Sequence, residues 1–132
     1  MIGTRVIVVG AVKFGDKILL IKRRDDKEFS PGKWELVSGF LKEYETSEEA
    51  VVREVKEETD LDCSIVKYGK LVDVEDKYGR WVIIPYLCEV KGDKVILDPK
   101  EHEDFVWIYP KNAKNFNCVA DIQKDLEAVG LL

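Results

Sequence analysis

The chain has 132 residues, of which 45% are hydrophobic and 36% charged, with a formal net charge of −5. That length fits a single domain, 1–132, with a real core, and the acidic balance argues against nonspecific binding to long nucleic acid, which needs a basic footprint. No apolar run approaches the roughly 20 residues that span a bilayer, and the opening MIGTRVIVVGAV lacks the organisation of a signal peptide.

In chain order, Arg5–Phe14 is apolar and β-branched and is followed by Gly15-Asp16 and then Lys17–Arg23, which predicts a β-hairpin with a short turn. Residues 24–33 form a charged loop. Trp34–Val37 reads as a short strand. Thr46 with Glu49 three residues later makes a capping box, so a helix begins near Thr46 and runs to about Thr59. Its apolar side, Ala50, Val51, Val52 and Val55, suits the face of a sheet. Strands are expected at 63–74, 80–90 and 103–108, with Tyr78-Gly79 as a hairpin turn, and a second amphipathic helix at 118–129. Strands on both sides of a central helix, closed by another helix, predict an α/β (α+β) fold with a mixed sheet between helices. Cys63, Cys88 and Cys118 are odd in number and make no C-x-x-C, so they read as reduced thiols filling the core of a cytoplasmic protein.

The chemistry concentrates in 39–61, GFLKEYETSEEAVVREVKEETDL. Glu54, Glu57 and Glu58 are spaced i,i+3 and i,i+4 and share one helical face. Like charges placed that way cost a helix roughly 0.2–0.5 kcal/mol per pair. That cost is understandable if the face is solvated or holds a cation. Magnesium prefers carboxylate and water oxygens and bridges to substrate phosphates, so three convergent carboxylates point to a magnesium site beside a phosphorylated ligand. Arg53 lies four residues from both Glu49 and Glu57 and can brace a carboxylate.

The larger pattern is Gly39, five residues, Glu45, seven residues, then Arg53-Glu54-Val55-Lys56-Glu57-Glu58-Thr59-Asp60-Leu61. It resembles the signature of the Nudix hydrolases, Gly-x5-Glu-x7-Arg-Glu-(apolar)-x-Glu-Glu-x-Gly-(apolar), and departs from it only at Asp60, where glycine is usual. That position ends the helix in a left-handed conformation, which aspartate tolerates better than most residues. The metal face should therefore be intact. Upstream, Val37-Ser38-Gly39 stands where many relatives read Pro-Gly-Gly.

The resemblance implies a Nudix-like mixed sheet sandwiched between helices. It also implies hydrolysis of a nucleoside diphosphate linked to another group, using Mg2+ (or Mn2+). By the same resemblance Glu54, Glu57 and Glu58 would be metal ligands, with the Gly39 carbonyl as an extra ligand. Glu54 or a downstream carboxylate would be the base, and Glu45 would support the loop–helix geometry. In the segment before Trp107, Glu101 resembles the additional carboxylate of MutT-type members, with Glu103 in reserve. His102, beside it, reads as a surface or hydrogen-bonding residue rather than a functional one. Arg23, at the end of a strand, is either a phosphate contact or a solvated strand end. Asn117 is either the cap of the last helix, the preferred reading, or a reader of a purine edge. Phe29, Trp34 and Tyr86 could stack on a base but fit a core better. Partners implied are a small nucleotide and, since members are often dimers, a second copy of the chain. A nucleoside triphosphate or an oxidised one is the favoured substrate. ADP-ribose, a dinucleoside polyphosphate, a sugar nucleotide and a noncatalytic nucleotide-binding module are the alternatives.

Overall fold

The computed structural model describes residues 3–132. Its elements are β1 (Gly3–Phe14), β2 (Lys17–Arg23), β3 (Trp34–Glu35), β4 (Val37–Phe40), α1 (Ser47–Thr59), β5 (Cys63–Tyr68), β6 (Val72–Asp76), β7 (Gly79–Val90), β8 (His102–Ile108), a 3-10 helix at Pro110–Asn115 and α2 (Ile122–Ala128). The strands form one mixed sheet along the path β3-β2-β1-β7-β5, with β4 also on β1, β6 also on β7 and β8 also on β2. β1 and β7 are parallel, and β2, β4, β5, β6 and β8 join antiparallel.

The period of two in β1 and β2 decides how the sheet is covered. Val9, Ala11, Ile18 and Leu20 belong to a buried cluster with Ile122, Leu126 and Val129 around α2. The alternate residues Val12, Leu19 and Ile21 pack with Val55 of α1, and Val8 packs with Ala50 and Val51 of α1. Successive side chains of a strand point to opposite faces. Both faces are therefore buried, which is why these strands read as continuous apolar runs. The expected mixed α/β sheet with helices on both sides is the observed one.

Helix α1 follows its sequence signals closely. Thr46 accepts from the Glu49 N–H, and the Glu49 side chain accepts from the Thr46 N–H. Asp60 ends the helix at φ 61°, ψ 17°, with its N–H on the Lys56 carbonyl.

Four expectations need correction. The strand expected at 63–74 is two strands, β5 on residues 86–90 of β7 and β6 on residues 79–83. The break falls at Gly69, where a Cβ would lie 2.3 Å from the Ala128 carbonyl oxygen of α2, so only glycine fits beneath that helix end. The strand expected at 34–37 divides between β2 and β1 as β3 and β4, with Leu36 between them. The turn between β6 and β7 centres on Lys77 and Tyr78, with Gly79 already in the strand at φ 129°. The helix expected at 118–129 begins only at Ile122. Residues 117–119 are clipped to Trp34 instead: the Trp34 N–H donates to the Asn117 carbonyl, and the Val119 N–H to the Trp34 carbonyl, both at 3.0 Å. Asn117 is therefore not the cap of α2.

The three cysteines are free thiols, Cys88 buried and Cys63 and Cys118 half-buried. Among the described residues no helix is long and apolar enough to cross a membrane.

Candidate active site

The ends of β2 and β4, the start of β8 and the outward face of α1 meet at one end of the sheet. The register shows why. Gly39 of β4 pairs with Val8, and His102 of β8 pairs with Arg23 of β2. Between these strands α1 presents Glu54, Glu57 and Glu58.

One half of the site is organised by Arg53. Its Nε donates to Glu45 Oε2 at 2.6 Å, and its Nη1 to Glu54 Oε1 at 2.8 Å and Glu57 Oε2 at 3.1 Å. Its Nη2 donates to Glu45 Oε1 at 3.0 Å and to the Phe40 carbonyl at 3.1 Å. A planar guanidinium is suited to such a fork. The Arg53 side chain is 20% exposed, so these bonds are only partly screened. Hydrogen bonds from Arg53 and from the Lys42 N–H hold the Glu45 carboxyl at about 2. Glu49, the other residue within reach by spacing, is committed to the capping box.

Glu54 is pressed against Gly39. A Cβ at position 39 would lie 2.1 Å from the Glu54 Cδ and Oε1. Its φ is outside the left-handed region, so glycine is needed there for space and not for conformation. Burial raises the Glu54 carboxyl, and Arg53 opposes that shift.

The other half is buried. The Glu58 side chain is 12% exposed, and its Oε2 has no hydrogen-bond partner. Burial, and then the charges of Glu54, Glu35 and Glu101, push its carboxyl well above the usual range. Next to it lie His102 and Glu35, the latter passed over in the sequence. His102, 3% exposed, shares a 2.8 Å hydrogen bond through Nε2 with Oε2 of the buried Glu35. Its Nδ1 lies 3.9 Å from Glu58 Oε1. His102 is thus the hydrogen-bonding residue of the sequence reading, in the interior and not at the surface. Glu35 had one signal in the sequence: an acidic residue within the apolar strand run Trp34–Val37.

The remaining candidates divide. Arg23 donates from Nη1 to both Glu35 oxygens, at 3.2 and 3.4 Å, and from Nε to the Phe29 carbonyl. In this structure it ties Glu35 to the 24–33 loop. Glu101 forms an ion pair with Lys27 of that loop, while Glu103 pairs with Lys22. The charge of Glu101 is felt at Glu58. Asn117 is exposed and contributes its carbonyl to the Trp34 clip. Tyr86 is buried with its hydroxyl 2.6 Å from Ser47 Oγ, and Trp34 packs on the core, as their core readings require. Phe29 is 49% exposed and meets Tyr78 edge-to-face.

Among the described residues, no three His, Cys, Asp or Glu side chains converge closely enough to hold a metal ion. Arg53 holds one oxygen each of Glu54 and Glu57. The donor set nevertheless fits a hard divalent cation: carboxylates on one helical face, a glycine backbone pressed on one of them, and a buried carboxylate oxygen left without a partner.

A mixed sheet covered on both faces, with a braced carboxylate face at one end, defines the chain as an α/β protein of mixed-sheet architecture. The family model of the NUDIX domain matches residues 4–126. This chain belongs to the Nudix family. It is 39% identical over 107 residues to an ADP-ribose pyrophosphatase of Methanocaldococcus jannaschii, covering 76% of this chain and 60% of that protein. It is 27% identical over 139 residues to the nucleoside triphosphatase NudI of Escherichia coli, covering 97% and 98%. Among solved structures it is similar to a MutT NUDIX hydrolase from Burkholderia pseudomallei, with a TM-score of 0.81 and 27% identity over 96% of this chain and 98% of that one. The chain spans only about a quarter of the length of two other curated relatives. Members of the family typically depend on a divalent metal.

Proposed function

We propose that this chain is a magnesium-dependent pyrophosphohydrolase of nucleotide-like substrates, with a nucleoside triphosphate or an oxidised nucleotide favoured. The observation that carries the reading is the packing of Glu54 against Gly39 with the buried Glu58, whose Oε2 has no partner, beside it. A buried carboxylate oxygen without a partner is costly, and a divalent cation relieves that cost. Glu54, Glu57, Glu58 and the Gly39 carbonyl would hold the cation, Mg2+ or Mn2+. When bound, it would supply charge neutralisation at phosphate oxygens and a lowered pKa for attacking water.

The chain's own residues supply the rest. Arg53 orients Glu54 and Glu57 so that little reorganisation is needed during reaction. Glu54, or Glu101 if it leaves Lys27, accepts the proton of the attacking water. The new P–O bond forms as a bond of the diphosphate linkage breaks. Lys42, 64% exposed and loosely paired with Glu57 at 4.0 Å, is a cation placed to meet a substrate phosphate. Arg23 serves the site through Glu35. The side chain of Asn117, free of a capping duty, can read a base edge.

Likeness over nearly the full length to an E. coli nucleoside triphosphatase supports the favoured substrate. The higher identity to an ADP-ribose pyrophosphatase, over a shorter span, supports ADP-ribose as the second reading. The deciding experiment is a substrate panel with Mg2+: nucleoside triphosphates, 8-oxo nucleotides, ADP-ribose, dinucleoside polyphosphates and sugar nucleotides, with products identified. Hydrolysis should vanish with EDTA. Cation-dependent nucleotide binding without any product would replace the enzyme by a binding module.

A further inference from the structure

Behind Glu58 runs a continuous chain of polar contacts, buried at Glu35 and His102 and exposed at its Phe29 end. The Phe29 carbonyl accepts from Arg23, Arg23 donates to Glu35, Glu35 bonds His102, and the ring of His102 faces Glu58. Its members come from the 24–33 loop, β2, β3, β8 and α1, so only the folded sheet assembles it.

The geometry has a direction. His102 Nε2 and Glu35 Oε2 share a 2.8 Å hydrogen bond, which fixes the ring plane. The other ring nitrogen, Nδ1, faces Glu58 Oε1 at 3.9 Å and has no hydrogen-bond partner. Glu58 is the last of the three carboxylates, at the end of α1. The fixed ring bounds the space on the Oε1 side of its carboxylate. The oxygen left without a partner is Oε2. Arg53 performs this service for Glu54 and Glu57 but makes no bond to Glu58.

We propose that Arg23, Glu35 and His102 form a positioning relay that fixes the Glu58 carboxylate, turning Oε1 to the ring and leaving Oε2 available to a divalent cation. This rests on the reading of Glu58 as a cation ligand. His102 is a positioning residue and touches neither substrate nor the reacting atoms.

The test is the dissociation constant for Mn2+ by isothermal titration calorimetry, with the melting temperature measured in parallel. Wild type, Glu58→Gln, Glu35→Gln and His102→Gln are compared. His102→Gln retains a group for Glu35 and loses the ring face toward Glu58. It should bind Mn2+ about tenfold more weakly, as outer-shell losses at metal sites do, with its melting temperature nearly kept. Glu35→Gln keeps a hydrogen-bonding partner for Nε2 and should lose less. If His102→Gln binds within threefold of wild type, the relay is refuted. If Glu58→Gln also binds like wild type, the ligand reading itself has failed, and the two failures are told apart. A measurement on wild type guards against an unstable variant. His102 is the only histidine in the chain, so its ring nitrogen signals need no assignment. They should shift as Mg2+ saturates the site; unmoved signals at saturation overturn the relay.

Discussion

The two halves of the carboxylate face are built on opposite principles. Around Arg53, three glutamates and a carbonyl oxygen share one guanidinium. There Glu45 titrates far below its ordinary range. A few ångströms on, Glu58 is buried, lacks a guanidinium, has an unpartnered oxygen and titrates well above that range. The first half is pre-oriented and satisfied without a ligand. The second stores unfavourable desolvation that a bound cation can relieve. The same residue type thus serves two purposes, and the local environment decides which.

Removing the organiser of the satisfied half should do most damage. Arg53→Ala releases Glu45, Glu54 and Glu57 together, and misplacement of reacting groups by about 1 Å can cost on the order of 100-fold in rate. A loss of kcat/KM of about that size is expected, with about 2–4 kcal/mol of stability in urea unfolding from the lost charged hydrogen bonds. Arg53→Lys should recover little, since an ammonium cannot reproduce the fork. Near-normal activity in the lysine variant would show that charge alone, and not bidentate geometry, is what matters.

Charge removal in the two halves should have opposite signs for stability. Glu58→Gln should lower activity at least about tenfold, a loss of about 1.4 kcal/mol in transition-state binding, yet melt higher at neutral pH. The folded pKa of Glu58 is raised, so its ionisation works against folding as pH rises, and glutamine abolishes that loss. Glu45→Gln should melt lower. The folded pKa of Glu45 is depressed to about 2 from 4.5, so its stabilisation is present above pH 4.5 and is lost as pH falls through about 2. Melting curves for both variants at pH 3 and pH 7 test this; destabilisation by Glu58→Gln at pH 7 would contradict the contrast.

Helix α2 repeats the unsatisfied arrangement away from the site. Asp125 is 6% exposed, with Oδ1 unpartnered, and burial next to Asp121 raises its carboxyl to about 7. Its folded pKa lies above its unfolded value, so stability should decline as pH rises from about 4 to about 7. Asp125→Asn should therefore gain about 1–2 kcal/mol at pH 8, part of the roughly 1.4 kcal/mol per pH unit available, and almost nothing at pH 4. A gain of equal size at both pH values would point to something other than ionisation.

The smallest effect is expected at Asn117. The side chain is exposed and caps no helix, so Asn117→Ala should change stability by less than about 0.5 kcal/mol. Its use for a base would appear only as a selective loss on purine substrates, read from the ranking of kcat/KM across the panel.

Local rules carried helix α1 from sequence to structure. The capping box at Thr46 and Glu49, the left-handed Asp60 and the i,i+3,i+4 carboxylates act within a few residues, so periodicity and cap chemistry determine them. The apolar alternation of β1 and β2 likewise determined a sheet buried on both faces. Interactions between distant segments were decided only by the tertiary structure. Only glycine fits at position 69 because the end of α2 leaves no room for a Cβ. Asn117 loses its cap role because Trp34, far away in sequence, claims its backbone. Arg23 turns to Glu35, and His102 is drawn inside against Glu35 and Glu58, partners separated from it by 67 and 44 residues in the chain. A charged or imidazole side chain looks like a surface residue until the partner that offsets its desolvation is known, and that partner is set by strand register rather than by spacing along the chain.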